Sequence, residues 1–275
     1  MLPTMVIFFR ESLEASLIVG IILAYLHRIG RADRAGAVWT GVGLAVAADV
    51  GVALVTYHLI RSYGGSHVQI VLEGSTYLLA MVLLTYMSFW MKDQSRSLRH
   101  ELETRVQAAL EGGSLLALVL LCALTVGREG LETVFFTLAI AFQTQPWALA
   151  VGAAAGLVAG LATSYWIYVL GRRLPLGLFF NVLGVLLLLF AGGLLADGIQ
   201  DFQALGWLPF LGQVVWHSGH ILNEQSALGD ILHSFFGYAD QPTVLQLLCY
   251  AAFLGISVSA YLRLGRRPAM RGAGR

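Results

Sequence analysis

Seven apolar stretches of 21 to 29 residues divide the chain, and short polar turns or charged segments separate them. A helix needs about 20 mostly apolar residues to cross the hydrocarbon core, and lipid offers backbone groups no hydrogen-bond partners. The pattern therefore predicts an all-α integral membrane protein, a single polytopic domain over residues 1–275. Its seven transmembrane helices are predicted at 5–26, 36–60, 69–91, 114–142, 147–170, 177–199 and 243–263.

Composition agrees with this class, and the basic residues indicate the orientation. The chain is 57% hydrophobic and 12% charged, with a mean hydropathy of +0.74. If the N-terminus lies outside, 14 of the 17 Lys and Arg residues fall in cytoplasmic loops and the C-terminal tail, and only Arg61 is left outside. Cytoplasmic loops are enriched in basic residues. We therefore predict an outer N-terminus and a cytoplasmic C-terminus.

Two copies of an Arg-Glu-x-x-Glu motif interrupt the first and fourth spans, as Arg10-Glu11-Ser12-Leu13-Glu14 and Arg128-Glu129-Gly130-Leu131-Glu132. A charge at the bilayer centre costs roughly 2.5–3.5 kcal/mol on insertion scales, so such residues usually mark a functional site. On a helix the three charged residues of each copy share one face. Two such helices brought face to face would gather four carboxylates and two guanidinium groups.

Carboxylate oxygens without thiolates suit a hard cation, such as ferric iron, Mn²⁺, Mg²⁺ or Ca²⁺. A proton-coupled carrier could use the same groups. An interhelical salt-bridge lattice is the structural alternative, although two matching copies favour function. An intramembrane enzyme is disfavoured because no histidine cluster and no Ser–Lys or Asp–Asp pair stands in the spans.

The placement of the motifs in spans one and four predicts an internal repeat. The copies lie three spans apart, and an odd number of crossings means that the halves should run in opposite directions, as in many transporters. Repeat one is expected at about 1–91 and repeat two at about 114–199, followed by an outer segment at 200–242 and a last helix at 243–263. A cytoplasmic linker at 92–113 has apolar residues four apart, which predicts an amphipathic helix.

Other polar residues are accessory candidates. Glu73 and Asp197 each precede a glycine near the outer end of a span, and Asp49 lies in the middle of the second span. His217 and His220 stand in the acidic outer segment, with a spacing that could bind a metal on one helical turn. The alternative is a boundary residue for Glu73 and Asp197 and a solvated residue for the histidines, while Asp49 could hydrogen-bond to a neighbouring helix.

At these motifs the chain resembles the oxidase-dependent iron permease family, which includes bacterial EfeU-type and fungal high-affinity iron permeases. That family is marked by Arg-Glu-x-x-Glu in its first and fourth spans. Further likeness lies in Leu72-Glu73-Gly74, Phe89-Trp90-Met91, Val134-Phe135-Phe136, Phe236-Gly237-Tyr238 and Pro242. The outer segment around His217 and His220 matches least.

The resemblance implies a transporter, not an enzyme, that moves iron, as ferric ion, across the bacterial inner membrane. It implies Glu11, Glu14, Glu129, Glu132 and, less closely, Glu73 as iron ligands, with Arg10 and Arg128 as charge partners. The implied partners are a periplasmic iron-binding lipoprotein and a haem peroxidase or other oxidase. We expect no permanently bound cofactor, since iron is the substrate, and we expect lipid but not nucleic acid around the protein.

Overall fold

A computed structural model of the protein describes residues 1–62, 67–94, 98–111, 114–142, 144–170, 176–220, 222–223 and 226–264. Most of these residues are helical. The α-helices in the described ranges are α1 (Leu2–Arg28), α2 (Ala35–Ser62), α3 (His67–Gln94), α4 (Leu98–Glu111), α5 (Leu115–Ala141), α6 (Pro146–Leu170), α7 (Leu176–Ala204), α8 (Ala227–Phe236) and α9 (Val244–Leu264).

A long helix stands at each of the seven predicted spans, which confirms the all-α class. Within the described ranges, five helical segments are long and apolar enough to cross a membrane: Ala32–His58, His67–Lys92, Pro146–Ile167, Asn181–Ala204 and Val244–Leu264. Helices α1 and α5 have 27 residues each but carry the charged motifs. Membrane crossing by α1 and α5, and with it the count of seven, stays a prediction.

Local sequence explains several helix ends. The Ser114 hydroxyl accepts a hydrogen bond from the Ala117 backbone N–H at the start of α5, and Ser226 does the same for Gly229 at the start of α8. Such caps satisfy N–H groups that have no partner within the helix. Helix α8 ends at Gly237, whose φ of +61° is left-handed and favours glycine.

The chain divides into two compact units, and the first comprises Met1–Gly65 and Arg96–Leu174. Within it α1 packs on α6 and α5, and α2 packs on α5. Helix α4 packs on α1 and α5 through Leu102 and Val106, which are buried in a hydrophobic core with Ile22 and Leu118. Its exposed face carries the Glu101–Arg105 ion pair at 2.5 Å. The predicted amphipathic helix is therefore present and packed on the bundle.

The second unit comprises Ser66–Ser95 and Pro175–Arg275. Helix α7 packs against α3, α8 and α9. Close packing at one end is fixed by Lys92, whose ammonium group donates to the Tyr261 carbonyl at 2.6 Å and lies 3.7 Å from the centre of the Tyr261 ring. The division into two compact units does not test whether both lie in one membrane domain, so the single domain stays a prediction.

The outer segment departs from expectation at its histidines. The stretch around His217 and His220 is not helical, because much of its backbone pairs with residues 240–243. The Val215 N–H donates to the Pro242 carbonyl, and the Ser218 N–H donates to the Asp240 carbonyl, both at 2.9 Å. The prediction of two histidines on one helical turn is therefore wrong, and both side chains are exposed.

Much of the predicted cytoplasmic charge lies outside the described residues. This applies to Arg96, Arg172, Arg173, Arg266, Arg267, Arg271 and Arg275. The predicted orientation and the inverted repeat stay predictions.

Candidate metal centre

The first motif forms a compact buried ion cluster on α1. The Arg10 Nη1 donates to Glu11 Oε1 at 2.6 Å, and Arg10 Nε lies 2.9 Å from Glu14 Oε1. All three side chains are buried, and Arg10 is only 1% exposed. The shared helical face predicted from the spacing is therefore present, with one guanidinium group between two carboxylates.

The second motif repeats this arrangement on α5 with a more accessible arginine. The Arg128 Nε donates to Glu132 Oε1 at 3.0 Å and lies 3.9 Å from Glu129 Oε1. Both glutamates are buried, whereas 39% of the Arg128 side chain is exposed. The two copies thus have the same pairing but different access.

Carboxylates of both motifs meet inside the first unit. One oxygen from each of Glu11, Glu14 and Glu129 lies within 4.8 Å of the other two. Glu132 is close enough to Glu14 to interact electrostatically with it. The motifs can meet because they lie at equal depth from opposite helix ends. Arg10 to Glu14 are residues 9 to 13 of α1, and Glu132 to Arg128 are residues 10 to 14 counted back from the end of α5.

Several carboxylate oxygens of this cluster make no hydrogen bond. The Oε2 atoms of Glu11, Glu129 and Glu132 are fully enclosed and have no hydrogen-bond partner among the described residues. Burying such acceptors unpaired is costly, and more so when they are charged. Oxygens gathered at this spacing could bind a hard cation directly, which would replace both their lost hydration and that of the ion.

Asp49 of α2 lies against the second motif, at Gly130. A Cβ atom added to Gly130 would collide with the Asp49 carboxylate. No hydrogen bond or ion pair joins Asp49 to a described residue. The sequence signal for this contact was the glycine inside the motif, which allows a neighbouring helix to approach closely.

Glu73 and Asp197 lie in the second unit, where α3 packs on α7. The Gln69 amide donates to Glu73 Oε1 at 2.8 Å, and Asp197 Oδ1 lies 3.6 Å from His233 Nε2. The two acidic-glycine pairs touch, because a Cβ on Gly198 would lie 3.3 Å from the Gly74 carbonyl oxygen. Asp201 belongs to the same group and was missed, since it follows the predicted end of the sixth span.

Comparison with known proteins agrees with the motifs. Residues 1–265 match the family described as Iron permease FTR1 family. No solved structure matches the chain.

Curated relatives cover most of the chain. It is 34% identical over 260 residues to the protein named Ferrous iron permease EfeU from Escherichia coli O6:K15:H31, covering 93% of both chains. It is 35% identical over 252 residues to the protein of the same name from Shigella sonnei, covering 90% of both. The Yersinia pestis protein of that name is 35% identical over 250 residues, covering 90% of this chain and 88% of its own. The chain therefore belongs to the Iron permease FTR1 family and is a multi-pass membrane transporter, not an enzyme.

Proposed function

We propose that the chain carries iron across the inner membrane through the buried cluster that its two Arg-Glu-x-x-Glu motifs form. The observation that carries this proposal is the convergence of Glu11, Glu14 and Glu129, with ligand oxygens within 4.8 Å of one another. Glu132 completes the set from the second motif. A membrane protein that only needed a stable interface would not gather like charges in a dry place, where they repel each other.

The arginines offset that repulsion when no ion is bound. Arg10 and Arg128 each pair with the glutamates of their own motif, at 2.6 to 3.9 Å. An arriving cation would compete for the same oxygens, so each carboxylate would exchange a guanidinium group for a metal ion. Because Arg128 is the more exposed of the two, we infer that it releases its glutamates first.

Charge balance bears on the oxidation state. Four glutamates and two arginines carry a net charge of −2 when all are ionised, which a divalent ion would neutralise. The Asp49 carboxylate, which lies against Gly130 of the second motif, brings the ionised sum to −3, which a trivalent ion would neutralise. Support for ferrous iron therefore comes from the names of the relatives. The expectation of ferric iron, taken from the family resemblance, stays a prediction.

Two inverted repeats would place the cluster at their interface, and the helix pairing supports them. If α1, α2 and α3 correspond to α5, α6 and α7, the pair α1–α6 corresponds to α5–α2, and α3–α7 corresponds to itself. These three helix pairs, α1–α6, α2–α5 and α3–α7, make the most extensive helix contacts within the two units. Alternating access by such repeats around a fixed site is a general transport mechanism.

Partners and accessory residues remain proposals. A periplasmic iron-binding lipoprotein and a haem peroxidase rest on the family resemblance alone. Glu73, Asp197 and Asp201 would be an acidic collecting group for cations, supported by their closeness on α3 and α7. His217 and His220 are exposed and stay accessory candidates.

The proposal is tested by removing one carboxylate from each motif. We expect Glu14→Ala and Glu132→Ala to abolish iron uptake into proteoliposomes while the protein still inserts in the membrane. Glu14→Gln and Glu132→Gln keep the side-chain shape and should also lose uptake. Glu111→Ala, at an exposed glutamate of α4, is the matched control and should transport normally. Normal uptake by both glutamine variants would reject the site.

Metal competition separates iron from other cations. Radioactive iron supplied with ascorbate tests ferrous ion, and iron supplied as ferric citrate without reductant tests ferric ion. Inhibition of iron uptake by an equal concentration of Mn²⁺ would favour a general divalent carrier. A dependence of uptake on an imposed pH gradient would favour proton coupling.

A further inference from the structure

A large apolar cavity lies in the first unit, along α1 and between α2 and α6. Its volume is about 870 Å³, which is within the range of cavities that hold small ligands. It extends along α1 from Ser12 to Arg28, which is about 24 Å for 16 residues of helix. Its side walls are aliphatic and aromatic and include Trp39, Val46, Leu157, Leu161 and Tyr165.

The cavity is open on its side and its walls are unsuited to an ion. Rim residues on α2 and α6 are large, apolar and exposed, with Trp39 at 59% and Tyr165 at 70%. A cation there would lose its hydration without gaining ligands. In a bilayer, an open apolar cleft of this size adjoins lipid chains instead of water. The occupant should therefore be hydrophobic along most of its length.

The two charged residues that line the cavity, Arg28 and Glu103, lie at its α4 end. Arg28 Nη2 donates to Glu103 Oε1 at 2.5 Å, and the guanidinium group lies 5.3 Å from the centre of the Tyr25 ring. The Arg28 side chain is 54% exposed, and among the described residues it makes this one hydrogen bond, which leaves most of its five N–H donors open. Arg31 and Arg34 follow Arg28 in the chain, and each lies within 4.0 Å of Asp33. Arg28, Arg31 and Arg34 and the two acids that they contact, Glu103 and Asp33, sum to a charge of +1.

We propose that this cavity binds an anionic phospholipid, with one acyl chain along α1 and the phosphate on Arg28. Guanidinium groups suit phosphate because they donate several hydrogen bonds in one plane. The cavity is longer than the hydrocarbon depth of one leaflet, which is about 15 Å, so it can hold a whole chain. The chain would end beside Ser12, inside the first motif. The proposal depends only on the protein's place in a membrane, so a failed test of the metal site would not contradict it.

Variants that fill the cavity test its occupant. Gly20 lines the cavity and a Cβ atom there meets no atom within 4 Å, so Gly20→Phe should occupy the space of the acyl chain. Gly43 of α2 is equally open but lies outside the cavity, which makes Gly43→Phe the matched control. Native mass spectrometry of the purified full chain, titrated with phosphatidylglycerol or phosphatidylcholine, counts bound lipid. We expect at least tenfold weaker binding of phosphatidylglycerol to Gly20→Phe and none of this loss in Gly43→Phe.

The headgroup contact has its own pair of variants. Arg28→Gln should remove the preference for phosphatidylglycerol over phosphatidylcholine. Glu103→Gln breaks the same ion pair but leaves the arginine free, so it should keep or strengthen that preference. If both variants behave alike, the ion pair only stabilises α4, and the phosphate assignment is wrong.

Three results would overturn the proposal. The first is unchanged phosphatidylglycerol affinity in Gly20→Phe, or in Ala24→Phe if the former does not fold. The second is equal affinity of the natural chain for both lipids. The third is a change in oligomeric state of Gly20→Phe with unchanged lipid binding, which would make the cleft an interface between copies of the chain.

Discussion

At the scale of single residues, the two arginines of the motifs are unequal. Arg10 is 1% exposed and lies between two buried carboxylates, whereas 39% of the Arg128 side chain reaches the surface. Removing one partner of an ion pair leaves an uncompensated charge, and this costs most where the pair is fully enclosed by protein. The motifs therefore share a sequence but not an energetic role.

We accordingly expect Arg10→Met to destabilise the protein far more than Arg128→Met. Breaking a buried pair typically costs about 3–5 kcal/mol. Thermal unfolding in detergent, followed by size-exclusion chromatography, measures the difference. The added variant Glu14→Gln should restore part of the stability of Arg10→Met, because it removes one of the stranded carboxylates. Equal losses in the two arginine variants would contradict the assignment.

The ion pairs within each motif could be predicted from the sequence, because they follow from helical periodicity alone. The unequal exposure of Arg10 and Arg128 could not, since it depends on how neighbouring helices cover each side chain. The same limit applies to His217 and His220. Their spacing suits a helix, but hydrogen bonds from this stretch to residues 240–243 decide its conformation.

At the scale of helices, small residues recur on the faces that pack against the motif helices. Helix α6 carries Gly152, Gly156 and Gly160, and α2 carries Gly41, Ala45 and Asp49 at the same distances from its start. Gly160 packs on Ser12 of the first motif, and Asp49 packs on Gly130 of the second. Each close contact thus pairs a larger side chain with a glycine. In the first contact the glycine is on α6, the helix that packs on the motif helix, and in the second it is on the motif helix α5 itself. This correspondence was readable in the sequence but becomes meaningful only when the pairing is known.

The two contacts should respond differently to an added methyl group. The three atoms nearest to a Cβ on Gly130 all belong to the Asp49 side chain, so Asp49→Ala should restore most of the stability lost in Gly130→Ala. Gly160→Ala also meets the Phe9 backbone carbonyl at 2.7 Å, so Ser12→Ala should restore little. Overpacking of this kind typically costs about 1–3 kcal/mol.

A double-mutant cycle on thermal stability measures both couplings. Gly43→Ala is the control, because a methyl group there meets no neighbour and the change should raise stability by about 0.5–1 kcal/mol. If Ser12→Ala restored most of the stability lost in Gly160→Ala, the Phe9 backbone would be able to move away from the added methyl group, and the expectation would be wrong.

At the scale of the whole molecule, the two compact units cut across the two predicted repeats. Each repeat gives its first two long helices to one unit and its third to the other. The duplicated motif could suggest the repeat from the sequence. The division of each repeat between two units could not be predicted, because the hydrophobic pattern does not say which helices pair. This division places α1 and α5 in one unit, where their motifs meet.

Orientation follows from the distribution of basic residues and is open to a direct test. Cys122 and Cys249 are first replaced by alanine, and single cysteines are then placed at Gly212 of the outer segment or at Asp33 between α1 and α2. Both positions are exposed, so labelling reports the side of the membrane and not burial. A membrane-impermeant maleimide should label Gly212→Cys in intact spheroplasts and Asp33→Cys only after permeabilisation. The reverse pattern would put the acidic outer segment in the cytoplasm, where it could not collect cations for uptake, and the direction of the proposed iron path would be wrong.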